Sequence, residues 1–252
     1  MSRALEDRRA LITGATANIG AATARLFAQE GARLVLVDRD PAIEETAAGI
    51  RESGGDAHAV VADVSSADEV DGLVRVVDDA LGGLDVLVNN AAIQRVGAVE
   101  AIPVEEWDEI FAINVRGYFL MVRALLSALR ASEAASIVNT SSQTGLHGAP
   151  GATAYSATKG AVIAFTKALA LELAADGIRV NAIAPGWVDT KFNTPAITML
   201  GGADAHGDLV RATIPLGRQA RPEEIAAGSL YLASAQSSYM TGQVLAVDGG
   251  LT

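Results

Sequence analysis

The sequence contains no cysteine, which excludes disulfide bonds and thiolate metal ligands. It has only three histidines, and none belongs to a motif with a second ligand at fixed spacing, so we predict no metal site. The first ten residues, MSRALEDRRA, lack the apolar core of a signal peptide, and no apolar run approaches the ~20 residues that a membrane-spanning helix needs. We therefore expect a soluble cytoplasmic protein.

Positive charge is also scarce. The chain has 19 Lys and Arg against 30 Asp and Glu, a formal net charge of -11. Such a charge repels phosphate backbones and anionic lipids, and no local basic patch offsets it. We expect neither nucleic acid nor a membrane as a partner, which leaves a small molecule.

What the chain does have is apolar residues, at half of its 252 positions, and we predict a single domain over residues 1–252. Short aliphatic runs alternate with longer helical segments such as 21–29 and 65–80. This alternation is typical of a parallel sheet with helices on both faces. The prediction is an α/β, doubly wound Rossmann-type domain of about seven strands. The strand runs are 10–13, 33–38, 58–64, 84–90, 136–142, 178–185 and 243–249.

Residues 187–215 break the alternation. The segment carries Pro195, Gly201, Gly202 and Gly207, and its pattern predicts a long excursion of loop and short helix. Long structured loops in compact domains often cover a binding site, so we predict a substrate loop or lid, although an insertion without function would have the same composition.

A glycine-containing segment, ITGATANIG (12–20), lies between the first strand run and a helical segment. Gly14 and Gly20 would allow a tight turn and close packing of helix on strand, and the free backbone N–H groups would suit a pyrophosphate. An ordinary strand-to-helix turn would look the same, and Asn18 stands where a second glycine is expected. Asparagine tolerates a positive φ better than other residues with a side chain, so we predict that the turn persists.

Asp38 ends the second strand run, 18 residues after Gly20. A carboxylate at this spacing can accept hydrogen bonds from an adenosine ribose, and it would repel the 2′-phosphate of NADP. Arg39 favours the opposite choice, because a guanidinium could grip that phosphate or stack on adenine. We predict NAD as the cofactor, with NADP less favoured.

Tyr155 and Lys159 are four residues apart in a helical segment and project from one face. A nearby ammonium favours the phenolate and lowers the pKa of a tyrosine, which makes Tyr155 a proton donor and acceptor. Ser142 follows the fifth strand run, where it could hydrogen-bond a substrate oxygen. Asn114 is an amide within a helical segment, where a buried amide needs a partner.

These motifs, in this order and spacing, resemble the short-chain dehydrogenase/reductase family over essentially the whole chain. The resemblance implies hydride transfer between a nicotinamide and a secondary alcohol or ketone. It implies a catalytic tetrad in which Tyr155 exchanges the hydroxyl proton, Ser142 orients the substrate oxygen, Lys159 holds the ribose and lowers the Tyr155 pKa, and Asn114 fixes a water. The expected cofactor contacts are Gly14, Asn18, Ile19, Gly20, Asp38, Arg39, Asp63, Val64, Asn90, Tyr155, Lys159, Pro185, Gly186, Val188 and Thr190.

The sequence departs from the family pattern twice. Asn18 replaces the second glycine of the family loop, and the family segment N-N-A-G reads NNAA here, with Ala92 last. The added methyl of Ala92 puts the cofactor geometry in doubt more than the chemistry.

Loop residues near the predicted site suit a hydroxylated substrate such as a sugar, polyol or hydroxy acid. The substrate-pocket candidates are Gln94, Gln143, His147, Trp187 and Phe192, with Lys191 and Asn193 nearby. Two other functions stay open. The first is an NADPH-dependent 3-oxoacyl-(acyl-carrier-protein) reductase, which Asp38 disfavours. The second is a non-catalytic dinucleotide sensor, which would have little reason to keep Ser142, Tyr155 and Lys159 together.

The segment after Lys159, GAVIAFTKALALELAADG (160–177), is apolar around most of its circumference. Such a helix should be buried on more than one side, and a second subunit would explain this burial. Members of the family are commonly tetramers, so we expect a homotetramer.

Overall fold

The structure, a computed structural model, describes residues 3–252 and contains one seven-stranded sheet in which every pairing is parallel. The strand order is β3-β2-β1-β4-β5-β6-β7. The predicted fold class and strand number are confirmed, since each predicted run overlaps one strand. The strands are β1 Arg9–Thr13, β2 Arg33–Asp38, β3 Asp56–Val61, β4 Val86–Asn89, β5 Ser136–Thr140, β6 Arg179–Pro185 and β7 Val244–Val247.

Helices cover both faces of the sheet. Within residues 3–252, ten are α-helical, and short 3₁₀ turns lie at 99–101, 174–176, 191–193 and 235–237. The α-helices are α1 Asn18–Gln29, α2 Ile43–Glu52, α3 Ala67–Leu81, α4 Val104–Phe111, α5 Gly117–Arg130, α6 Thr144–His147, α7 Thr153–Leu173, α8 Thr194–Met199, α9 Ala203–Thr213 and α10 Pro222–Ala233.

Two hydrophobic cores result from the alternation of side chains along each strand. Leu11 and Val35 point to the face covered by α3, α5 and α7, whereas Ile12 and Leu36 point to the face covered by α1, α2 and α10. Each fully buried aliphatic side chain contributes about 1.5–3 kcal/mol. Because both faces are covered, the central strands are continuous apolar runs.

The strand order reverses between β1 and β4. Helices that leave the sheet on opposite sides of this point open a crevice at the carboxyl ends of the strands, which is where open parallel sheets bind ligands. The residues that follow β1, β2, β4 and β5 therefore lie at this crevice.

A continuous helical stretch, Val104–Arg130, joins α4 and α5 through a π-helical turn, Ala112–Arg116. By length and composition alone this stretch is apolar enough to cross a membrane, although charged residues such as Glu109, Arg116 and Arg123 interrupt it. Half of its most apolar window is buried inside the fold, as in the core helices of soluble proteins. Its apolarity is explained by packing of α5 in the core beside α3.

Candidate active site

A cavity of about 380 Å³ lies at the carboxyl ends of the central strands. It brings together most residues predicted for the cofactor, three of the four tetrad residues and four of the five substrate-pocket candidates. The predicted residues that line it are Gly14, Asn18, Ile19, Asp38, Arg39, Asp63, Val64, Asn90, Gln94, Ser142, Gln143, Tyr155, Lys159, Pro185, Gly186, Trp187, Val188, Thr190 and Phe192, and Asn193 joins them.

Four of the predicted residues do not line the cavity, namely Gly20, Asn114, His147 and Lys191. His147 ends the short helix α6 with its side chain exposed, so its prediction as a pocket residue was wrong. Lys191 is likewise exposed. Gly20 and Asn114 are buried behind the wall of the cavity and act by packing and hydrogen bonding, as described below.

The glycine loop between β1 and α1 has the geometry of a phosphate-binding turn. Gly14 adopts a φ of +67°, and Asn18 adopts a φ of 55°, so the prediction that asparagine accepts the left-handed conformation is confirmed. A Cβ atom on Gly20 would lie 2.0 Å from the carbonyl oxygen of Gly14. Only glycine fits at position 20, because the start of α1 packs directly on the loop backbone.

Asn90 fastens this loop to the end of β4. Its amide Nδ2 donates to the carbonyl oxygens of Thr13 and Gly14, both at 3.1 Å. Its backbone N–H donates to the Thr13 hydroxyl at 3.0 Å. The Asn90 side chain therefore shapes the loop in addition to lining the cavity.

The carboxylate of Asp38 is oriented by backbone N–H groups at the end of β2. One oxygen accepts from Thr16 at 3.1 Å and the other from Asp40 at 3.1 Å. Arg39 is exposed beside it. The carboxylate thus has a fixed direction, and the exposed Arg39 lines the cavity next to it.

Thr16 was missed by the sequence reasoning. It lines the cavity, and its hydroxyl oxygen is buried without a hydrogen-bond partner among residues 3–252. A buried hydroxyl normally finds a partner, so this atom marks a place where a polar ligand group fits. Its position inside ITGATANIG, two residues after Gly14, is the signal that could have found it.

The predicted adenine contacts, Asp63 and Val64, follow β3. One Asp63 oxygen accepts from the backbone N–H of Ser65 at 2.8 Å and from its hydroxyl at 2.7 Å, which fixes the turn. Val64 is buried against Gly117, where an added Cβ would lie 3.0 Å from a Val64 methyl. These contacts hold one wall of the cavity against the start of α5.

Tyr155 and Lys159 occupy successive turns of α7, and both side chains are buried. The Lys159 Nζ lies 5.6 Å from the centroid of the Tyr155 ring and donates a hydrogen bond of 2.8 Å to the Thr140 carbonyl at the end of β5. Ser142 follows two residues later and its hydroxyl accepts from Thr144 at 3.2 Å. The helix α7 and the strand β5 thus bring the hydroxyl, phenol and ammonium to one end of the cavity.

Burial controls the ionisation of both groups. It raises the pKa of Tyr155 well above its ordinary value, while the hydroxyl of Ser142 acts in the opposite direction. Burial also lowers the pKa of Lys159 to about 7. We expected Lys159 to lower the pKa of Tyr155, but in the structure the pKa of Tyr155 is raised. Burial removes both groups from water and so disfavours the charged form of each.

Asn114 lies in the π-helical turn and is fully buried. Its Nδ2 donates to the Ile93 carbonyl at 2.9 Å and to the Thr158 hydroxyl at 3.1 Å, and its Oδ1 accepts from the Ile93 N–H at 2.9 Å. Both amide hydrogens are used in this way. The amide therefore joins the segment after β4 to α7, and it faces protein groups where the resemblance implied a bound water.

Amide and aromatic side chains lie beside Tyr155 and Ser142. The Phe192 ring lies 6.1 Å from the Tyr155 ring, and Trp187 packs edge-on against His206 of α9 with their centroids 4.5 Å apart. Gln94 and Gln143 also line the cavity. Trp187 and Phe192 belong to the excursion 187–215, which here consists of a 3₁₀ turn, α8 and α9.

Comparison with known proteins agrees with this arrangement. The family model described as "Enoyl-(Acyl carrier protein) reductase" matches residues 14–252. The 3-oxoacyl-(acyl-carrier-protein) reductase of Thermotoga maritima is 41% identical and the match covers 98% of each chain. The cyclopentanol dehydrogenase of Comamonas is also 41% identical, again over 98% of each chain.

Two solved structures are similar over nearly their whole length. One is described as "a putative NAD(P) dependent gluconate 5-dehydrogenase" from Beutenbergia cavernae and contains bound NADP. It has a TM-score of 0.92 at 35% identity, and the match covers 100% of this chain and 99% of the other. A xylitol dehydrogenase with bound NAD+ has a TM-score of 0.92 at 34% identity, over 98% of this chain and 99% of its own. The chain belongs to the short-chain dehydrogenase/reductase family, whose members are NAD(P)-dependent oxidoreductases acting on CH–OH groups.

Proposed function

We propose that this protein is an NAD-dependent dehydrogenase that interconverts a secondary alcohol and a ketone on a small hydroxylated substrate. The observation that carries the proposal is the single cavity that holds Ser142, Tyr155 and Lys159 at one end and the glycine loop with Asp38 at the other. A dinucleotide that reaches from Asp38 to Tyr155 would bring its reactive ring beside a phenol that can exchange a proton. The nicotinamide supplies the hydride chemistry when it is bound.

The residues of the chain then have distinct roles. The phenolate oxygen of Tyr155 takes the proton of the alcohol during oxidation, and the resulting phenol gives it to the ketone oxygen during reduction. The Ser142 hydroxyl orients the substrate oxygen, and the Lys159 ammonium favours the phenolate of Tyr155 and holds the ribose. Asn114 keeps Ile93 in place, and the glycine loop, Asp63, Val64 and the segment 185–190 hold the cofactor.

The preference for NAD rests on Asp38. Its carboxylate is directed by two backbone N–H groups, so a 2′-phosphate placed near it would meet a fixed negative charge. We expect NADH to be used at least about tenfold better than NADPH in kcat/KM, since two like charges at close range cost more than 1 kcal/mol at a partly buried site. The Asp38→Asn variant should narrow this ratio.

A matched control for this prediction is Asp40→Asn, which removes the same charge from an exposed neighbour. Steady-state assays by absorbance of the reduced cofactor give both ratios. If Asp38→Asn leaves the NADH preference unchanged while the unaltered protein prefers NADH, another residue selects the cofactor.

The substrate end favours a small, hydroxylated compound. Gln94 and Gln143 offer amide groups to hydroxyls, and Trp187 and Phe192 offer apolar faces to the carbon chain. The names of three similar proteins refer to cyclopentanol, xylitol and gluconate, which are compounds of this size. We infer that the substrate is a sugar, a polyol or a hydroxy acid, and that the excursion 187–215 serves as a lid over it.

A second candidate is an NADPH-dependent 3-oxoacyl-(acyl-carrier-protein) reductase, because one of the similar relatives has that name. A panel of sugars, polyols, hydroxy acids and oxoacyl thioesters, each assayed with NAD(H) and NADP(H), separates the two. Turnover of a polyol or sugar with NAD supports the proposal. Turnover of the thioester with NADPH alone would replace it with the second candidate.

We also propose that the protein is a cytoplasmic homotetramer. The helix α7 leaves Ala164, Ala168 and Leu171 exposed along one side, and Leu171 is 83% exposed. On α5, Phe119 is 48% exposed. Contact with a second subunit would remove this apolar surface from water.

Size-exclusion chromatography with light scattering is expected to give four times the mass of one chain. The Leu171→Asp variant should shift the distribution to smaller species, because a buried unpaired carboxylate costs several kcal/mol at an interface. Lys167→Asp, on the same helix and also exposed, shows how much of the effect comes from charge alone. A monomeric unaltered protein would refute the proposal.

A further inference from the structure

The Lys159 ammonium lies close to two aromatic rings. Its Nζ is 5.6 Å from the centroid of the Tyr155 ring and 5.6 Å from the centroid of the Tyr118 ring. Tyr118 is in the first turn of α5 and is 1% exposed. It is the largest fully buried side chain within residues 3–252. The proposed reaction assigns no role to this tyrosine.

The two side chains also share one hydrogen-bond acceptor. The Lys159 Nζ donates to the Thr140 carbonyl at 2.8 Å, and the Tyr118 hydroxyl donates to the same oxygen at 3.2 Å. Thr140 ends β5, two residues before Ser142. The shared carbonyl thus fixes the position of the ammonium relative to the strand that carries the substrate-orienting hydroxyl.

The ammonium needs such support because it has no counter-ion. In the described part of the chain, no carboxylate oxygen lies within 4.0 Å of Nζ, and Lys159 is 1% exposed. Burial lowers its pKa to about 7. A ring face and a carbonyl oxygen both carry negative potential, so each favours the charged amine against this effect of burial.

The ionisable groups around Lys159 are few. Tyr118 faces it from α5, and Tyr155 faces it from its own helix. The strand β5 has no ionisable residue, and the one ionisable residue of α6, His147, is exposed. Changes in the charge of Lys159 can therefore be read without interference from a neighbouring carboxylate.

We propose that Tyr118 is a positioning residue, which holds the Lys159 ammonium in its charged form through its ring face. The inference rests on the proposed function, in which that charge favours the phenolate of Tyr155. The ring is the essential part, because Lys159 retains the carbonyl when the Tyr118 hydroxyl is absent.

The test compares Tyr118→Leu, which removes the ring face, with Tyr118→Phe, which keeps it. The chain has three lysines, and the other two, Lys167 and Lys191, are exposed, so NMR of protein labelled with 13C at lysine Cε resolves Lys159 directly. The signal absent from Lys159→Arg protein assigns it. We expect Lys159 in Tyr118→Leu to titrate about one pH unit lower than in Tyr118→Phe, from the loss of a desolvated cation–π contact.

A kinetic readout accompanies the NMR titration. When the ammonium is less populated, the phenolate of Tyr155 is harder to form, so the acidic limb of the alcohol-oxidation profile should move to higher pH in Tyr118→Leu and stay in place in Tyr118→Phe. If Tyr118→Leu does not fold, Tyr118→Met fills the site without a π face and gives the same comparison.

The outcomes separate the two proposals. Equal Lys159 titration in the ring-less and ring-bearing variants would overturn the role of Tyr118. A shifted Lys159 titration in a protein that oxidises no alcohol with either cofactor would support the role of Tyr118 and refute the proposed function.

Discussion

Tyr155→Phe is expected to lose about three orders of magnitude in kcat while NADH binding stays within about threefold of the unaltered protein, since general acid–base catalysis contributes about 10²–10⁴ in rate. The substitution keeps the ring beside the Lys159 ammonium and the contact with Phe192, and it removes only the hydroxyl. The loss therefore falls on proton exchange and leaves the shape of the cavity unchanged.

Single-turnover absorbance assays and NADH fluorescence titrations measure the two quantities. Tyr231→Phe makes the same chemical change at a partly exposed position outside the cavity lining and should leave both unchanged. Residual turnover above roughly a tenth of the unaltered rate would remove Tyr155 from the role of proton donor and acceptor.

Gly20→Ala is expected to abolish measurable NADH binding and to lower the melting temperature. A Cβ atom at this position would lie 2.0 Å from the Gly14 carbonyl oxygen and 2.7 Å from the Asn90 amide nitrogen. The first contact is with backbone, so relief requires a shift of the loop itself. Overpacking of this kind costs about 1–3 kcal/mol of stability, and the loop is displaced where the phosphates would bind.

Asn18→Gly is the matched control, because it changes a residue of the same loop to one that adopts the required backbone conformation without strain. Asn18 is exposed with a φ of 55°, which glycine adopts freely. We expect NADH affinity in this variant to stay within about threefold, as no backbone rearrangement is needed. Weaker binding in Asn18→Gly would show that the amide side chain itself contacts the cofactor, and unchanged binding in Gly20→Ala would show that the loop does not hold the phosphates.

The sequence predicted those parts of the site that depend on local pattern. The seven strand runs, the glycine loop with a left-handed Asn18 and the placement of Asp38 at a strand end follow from spacing along the chain. Tyr155 and Lys159 share a cavity because a helix places residues four apart on one face. Each of these features can be read in a short stretch of residues.

Features that depend on contacts between distant segments could not be predicted. The bonds from Asn114 to Ile93 and Thr158 span 21 and 44 residues, and only the assembled fold shows that the amide is used there. His147 is exposed at the end of α6, a helix of four residues whose end the sequence does not mark. The raised pKa of Tyr155 depends on burial, which a motif does not specify.

The fastening of Asn90 to the glycine loop also has a consequence for how the chain folds. Its hydrogen bonds to Thr13 and Gly14 join positions 77 and 76 residues apart, and β1 pairs with β4 only after β2 and β3 have been passed along the chain. Contacts of such separation carry a large loop-closure entropy and form slowly. The phosphate loop therefore takes its final shape only when the centre of the sheet has assembled. A dinucleotide therefore binds only after the sheet has assembled. It stabilises the folded protein by mass action and does not speed the formation of the loop.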